Sequence, residues 1–173
     1  MSGLLQLDAI HAQDVGTVLA AVLAASRRPA TEILQRYSGV TLHIQVLASG
    51  DRPLTDREKF RLDAEGLSRC RYRTGLLVTE NGLTAASCSL VWLPARLHHD
   101  TCRELDEGTK PAGTILAPLG MRREDRRAMP TGRDDEITGE PRATASSAVL
   151  VVDGQRVAIA EEFVMLKFAE TLA

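Results

Sequence analysis

A chain of 173 residues, 44% hydrophobic and 25% charged, has the composition of one ordinary globular domain with enough length to bury a core. Aromatic residues are few (three Phe, two Tyr, one Trp), so that core must be built from Leu, Val, Ile and Ala. A formal net charge of -2 argues against the concentrated basic face that nucleic-acid binding requires.

The first expected element is a helix over Asp14–Ser26 with Asp14 as its N-cap. Its apolar run, Val15–Ala25, is preceded by Asp8 and Asp14 and by no Lys or Arg, the wrong charge for a signal peptide, and it is too short to cross a bilayer. A second helix over Thr31–Tyr37 should stop at Gly39. Val40, Leu42, Ile44 and Val46 then alternate with polar residues as a half-buried strand does, leaving His43 on the wet face. Gly50–Gly66 is polar, carries Pro53 and reads as a connection with one helical turn over Asp56–Leu62. Two strands follow, Arg69–Thr79 and Leu83–Leu93, joined at Asn81-Gly82, the strongest short-range hairpin signal.

Ala95–Asp106 reads as helix, with Leu97, Cys102 and Leu105 near one face. His98 and His99 are adjacent and cannot share that face as a metal pair, so no metal is expected. Gly108–Gly120 is rich in Gly and Pro. Met121–Ser147 is polar and reads as a long connection with little regular structure. Arg122, Arg123, Arg126 and Arg127, interrupted by Glu124 and Asp125, read there as a solvated face. The chain closes with a hairpin, Ala148–Val152 and Gln155–Leu166, around Asp153-Gly154. Hairpins with helices at the front and middle fit an α+β fold in a single domain over residues 1–173, an antiparallel sheet with helices on one side. Cys70, Cys88 and Cys102 lack metal-type spacing, which fits reduced thiols and a cytoplasmic protein with no membrane partner. An open sheet edge allows monomer or homodimer.

No G-x-S-x-G, Walker A, H-E-x-x-H or G-x-G-x-x-G motif is present, so any chemistry must come from ordinary side chains in a pocket. In the last strand Val157, Ile159, Glu161 and Phe163 share one face and Ala158, Ala160, Glu162 and Val164 the other. A carboxylate between Ile159 and Phe163 would be desolvated, with a raised pKa or a bound cation. Pattern alone leaves that open against a frayed strand end with two solvated glutamates. Arg73 follows Arg69 and Arg71 on one face of its strand. It stands next to Gly75, where a ligand would have room to approach, and its guanidinium suits an anionic small substrate.

These residues stand in an order that resembles the chorismate pyruvate-lyase (4-hydroxybenzoate synthase) family from about Arg28 to Phe163. The resemblance rests on ATEILQRYSGVTLHIQVL at Ala30–Leu47, YRTGLLVTENG at Tyr72–Gly82, VWLP at Val91–Pro94, TKPAGTIL at Thr109–Leu116 and DGQRVAIAEEF at Asp153–Phe163. It implies a six-stranded antiparallel sheet with a buried ligand pocket beneath helical flaps, and cofactor-free conversion of chorismate to 4-hydroxybenzoate and pyruvate. Within that resemblance Arg73 would grip the ligand carboxylate and Glu161, rather than Glu162, would act as the acid. The Pro111-Ala112-Gly113 turn would meet the carboxylate with its backbone, and Ala30 would stand where the family has a pocket methionine. Three departures stand out: Ala112 in place of leucine, Ser146-Ser147 in place of arginines, and Ser87-Cys88-Ser89 where the family carries a charge. They leave room for a lyase acting on another chorismate-like substrate. They also leave room for a non-catalytic, small aromatic acid-binding module of the same fold, the UTRA type found as the effector domain of GntR regulators. A regulator's winged helix has no space ahead of Arg28, which points the expectation toward the enzyme.

Overall fold

The computed structural model describes residues 12–172, so Asp8 lies outside the described residues. Helix α1 (Ala12–Ala25) buries Val15, Leu19 and Leu23, spaced by four on one stripe. Helix α2 (Ala30–Ser38) ends at Gly39, whose φ of 70° turns its N–H back onto the Gln35 carbonyl. Strand β1 (Leu42–Pro53) runs well past Gly50. A bulge between Val46 and Ala48 re-aims it, and its pairing continues to Pro53 opposite Arg69. Helix α3 (Asp56–Leu62) is held by a capping box: Thr55 accepts from the Glu58 N–H at 3.2 Å while its own N–H donates to Glu58 at 2.9 Å.

Strands β2 (Arg69–Thr79) and β3 (Thr84–Trp92) form the Asn81-Gly82 hairpin. Helices α4 (His99–Glu107) and α5 (Ala112–Leu116) follow. Met121–Ser147 is not an irregular connection. It contains strand β4 (Arg122–Pro130) and the first half of strand β5 (Arg142–Val152), paired antiparallel. The charge run hid β4 because an edge strand needs few inward residues, and because a bulge at Asp125 (φ 43°) breaks the period of two. Strand β6 (Gln155–Met165) and helix α6 (Leu166–Glu170) complete the chain.

The sheet has six strands in the order β1-β2-β3-β6-β5-β4, all neighbours antiparallel, and the fold is α+β. Leu90, Trp92, Leu150, Ala158 and Ala160 pack on one face with Leu105 of α4 and Ile115 and Leu116 of α5. α1, α2 and α6 fill one end of the molecule around Leu23, Leu34 and Phe168. The reverse face is covered as well: Val91, Val149, Val151 and Ile159 pack against Leu62 of α3. Helices therefore lie on both faces, and the central strands are apolar on both sides. Among the described residues, no helix is long and apolar enough to cross a membrane.

Candidate functional site

Between the sheet and the α4–α5 segment lies a cavity of about 560 Å³, counting the space at its mouth. Its walls are mostly aliphatic, with Ile44, Leu77, Leu90 and Leu150 among them. Ala30, Pro111, Ala112 and Gly113 close it from above. Gly113 is needed at that seam, since a Cβ there would stand 2.5 Å from the Cβ of Pro29.

Three charged side chains enter this apolar space: Arg73 from β2, Arg123 from β4 and Glu162 from β6. All three are buried. Arg73 donates through Nη1 to the Leu105 carbonyl at 2.9 Å and through Nη2 to the Lys110 carbonyl at 3.0 Å, so it ties the α4–α5 segment down to the sheet. Burial pulls its pKa below the ordinary arginine value. Glu162 accepts from the Ser146 hydroxyl at 3.0 Å through Oε2. Its burial pushes the carboxyl above the usual range, outweighing Arg123 and Ser146, which favour the charged form.

Arg123 carries the least satisfied group in the cavity. Nη1 donates to the Leu23 carbonyl at 2.9 Å and the Ser26 carbonyl at 3.3 Å, both at the C-terminal end of α1. Nε and Nη2 are buried and have no hydrogen-bond partner. Burial lowers its pKa, and Glu162 opposes that shift.

Glu161 is not in this cavity. It sits opposite Ser89 and Ser147, whereas Glu162 sits opposite Cys88 and Ser146 on the face of Arg73. Glu161 is instead half-buried on the reverse face, in a recess with Arg52, Glu58, Arg61, Val91 and Ile159. The strand period separates it from Arg73 by the thickness of the sheet, so the expected Arg73–Glu161 pairing over one ligand is corrected to Arg73 with Glu162. The other expected wall residues, Ala30, Ala112 and Gly113, do meet Arg73 in the cavity. Gly75 also lines it, but its missing side chain leaves no open space. A Cβ there would lie 2.5 Å from the Gln45 carbonyl oxygen of β1, so the neighbouring strand already occupies that room.

Arg123 escaped sequence reasoning because it stands in a run of charges. The usable signal was its place two residues on from the buried Met121, and so on the same face of the strand, visible only once β4 is recognised. Cys88 lines the cavity and donates to the Gly75 carbonyl at 3.5 Å. Burial pushes its thiol up to about 12, far from a thiolate nucleophile at neutral pH. Among the described residues, no group of three or more His, Cys, Asp or Glu side chains is placed to hold a metal ion.

By sequence, no known family's profile matches the chain and no curated protein is similar enough to count as a relative. By structure it is similar to PhnF from Mycobacterium smegmatis, with a TM-score of 0.61 at 11% identity over 82% of this chain and 65% of that one. It thus spans just under two thirds of that protein. The effector domain of the same PhnF superposes with a TM-score of 0.59 at 11% identity, covering 80% of this chain and 88% of that domain. A GntR-family transcriptional regulator from Bacillus cereus gives 0.51 at 9% identity, covering 72% of this chain and 91% of that chain. The six-stranded sheet with its helices is the fold of these UTRA-like domains.

Proposed function

We propose that this domain is a binding module for a small organic anion, taken up in the cavity between Arg73, Arg123 and Glu162. The observation that carries the reading is the charge balance of that cavity. Two buried guanidinium groups face one buried carboxyl that burial drives toward its neutral form, so the enclosed space is short of negative charge. An anion with an apolar body supplies what is missing. The likeness to the PhnF effector domain supports a binding role for the fold, and it supports that role better than catalysis.

A second reading is kept for one observation: a buried Glu162, whose carboxyl burial pushes above the usual range, shares the cavity with Arg73. In a chorismate-type elimination the C–O bond to the enolpyruvyl group breaks as the ring loses a proton and becomes aromatic. The departing group then takes up a proton to become pyruvate. Arg73 would hold the ring carboxylate and Glu162, in the place first given to Glu161, would manage the proton. Titration calorimetry with benzoate, 4-hydroxybenzoate and chorismate, followed by assay of the chorismate sample for pyruvate, separates the two. The binding module predicts saturable heat with at least one of these acids and no pyruvate. Pyruvate release abolished by both Arg73→Ala and Glu162→Ala would replace it with the lyase, and absence of saturable binding by all three acids would remove both readings.

A further inference from the structure

Resting on the reading of this domain as a small-anion module, we infer that Arg123 is its anchor and that the ligand presents a single carboxylate to it. Arg123 would take that carboxylate side-on through Nε and Nη2.

Nε–H and Nη2–H lie on one edge of the planar guanidinium, parallel and spaced to meet the two oxygens of a carboxylate. In Arg123 these two donors, and only these, are both buried and without a partner. The third corner is already fixed, because Nη1 is bound to the Leu23 and Ser26 carbonyls. The fork is therefore held in place before any ligand arrives, which lowers the ordering cost of binding. Leaving two donors of a charged group dry and unused is costly, as it is when a buried ion pair loses one partner. Arg73 is differently placed: its Nη1 and Nη2 are spent on the α4–α5 carbonyls, and using them for a ligand would release that segment.

The class of anion follows from the neighbours. Arg123 offers a ligand one free fork of two donors, its Nη1 being already bound. A phosphoryl group needs more than one fork of donors, whereas a carboxylate is satisfied by one. Most of the remaining wall, Leu77, Leu90, Met121, Leu150 and Ala160 included, is apolar and fits a compact hydrocarbon or aromatic body.

The test uses the full chain with benzoate, benzamide and phenyl phosphate as probes, in calorimetry and in nitrogen–proton NMR of the arginine Nε–H groups. Benzoate is expected to bind, and to move the Arg123 Nε–H resonance downfield as that proton gains its acceptor. Benzamide and phenyl phosphate should bind more weakly by about tenfold or more. Arg123→Lys keeps the charge and loses the fork, and should weaken benzoate by about tenfold or more, while Arg73→Lys should cost less. The NMR arm needs no variant, so it decides even where Arg123→Lys fails to fold. Benzoate binding that leaves the Arg123 resonance in place, or that survives Arg123→Lys and fails in Arg73→Lys, would overturn the inference and leave the binding module standing. Phenyl phosphate binding more tightly than benzoate would overturn the carboxylate class. If none of the probes binds, the reading of the domain falls first.

Discussion

Glu162 shows how a single residue ties the cavity to the stability of the fold. Its carboxyl is buried beside Arg123 with one hydrogen bond from Ser146, and burial holds its pKa above the ordinary 4.5. A carboxyl with a raised native pKa binds its proton more tightly folded than unfolded. Its contribution is therefore complete below about 4.5 and is lost as pH rises through the native value. Wild type should lose stability over that window, and Glu162→Gln, which keeps the shape and an acceptor for Ser146, should lose less. Urea midpoints of both proteins measured from pH 4.5 upward check this; a difference between them that does not change with pH contradicts it. At Gly75 the expectation concerns geometry alone. Gly75→Ala places a Cβ 2.5 Å from the Gln45 carbonyl, and backbone cannot move aside as a side chain would. It should destabilise by about 1–3 kcal/mol in urea unfolding.

The elements differ in how openly the sequence declared them. Strand β2 was legible to the residue and its hairpin partner to within one residue at each end, Leu83–Leu93 expected and Thr84–Trp92 found, because Asn81-Gly82 marks a turn. β4 was not, since its exposed edge carries Arg122, Glu124 and Arg127 and its bulge at Asp125 interrupts the pattern. The choice between Glu161 and Glu162 was beyond pattern for a related reason. Helices cover both faces of β6, so both faces are apolar and neither marks itself as the cavity side. Only the partners across the sheet separate the two glutamates. The segment after β4 carries its own testable device. Asp135 is buried beneath the reverse face, where it accepts from the Ser87 hydroxyl, from the Arg142 Nε at 2.8 Å, and from the N–H groups of Ile137 and Thr138. Burial alone would raise its pKa, but these donors together hold it at about 2. With a depressed native pKa, its contribution is present above 3.8 and disappears as pH falls through about 2. Asp135→Asn should cost about 3 kcal/mol near neutral pH, with the gap to wild type closing in acid. A constant gap across that range would show that the charge is not what Arg142 and Ser87 hold.

At the scale of the molecule, the cavity is where three separately anchored parts meet. Arg123 joins β4 to the end of α1, with its N–H on the Arg27 carbonyl at 3.1 Å as well as its side-chain bonds, and Arg126 adds a bond to the Ala25 carbonyl at 3.2 Å. Arg73 joins β2 to the α4–α5 segment. α3 is fastened independently on the other face, where Arg96 and Arg156 donate to the carbonyls of Arg61, Leu62 and Asp63, and Arg61 reaches Asp125 and Ser147. A ligand seated among Arg73, Arg123 and Glu162 would thus couple α1, the α4–α5 segment and the sheet while leaving α3 as it is. Binding to the native state alone stabilises by about 2.7 kcal/mol at a hundredfold excess over Kd. For a chain of this size that is a rise in Tm of roughly 5–10 °C. Hydrogen exchange with and without benzoate locates the effect: protection should grow in α4, α5 and the end of α1, and remain unchanged in α3. Protection gained in α3 instead would move the site to the reverse-face recess beside Glu161, where Arg52 is already forked onto Glu58 at 2.8 and 2.6 Å. A ligand there would have to break that pair to bind, so its affinity should rise when Glu58 is changed to Gln, a substitution to which a ligand in the main cavity should be indifferent.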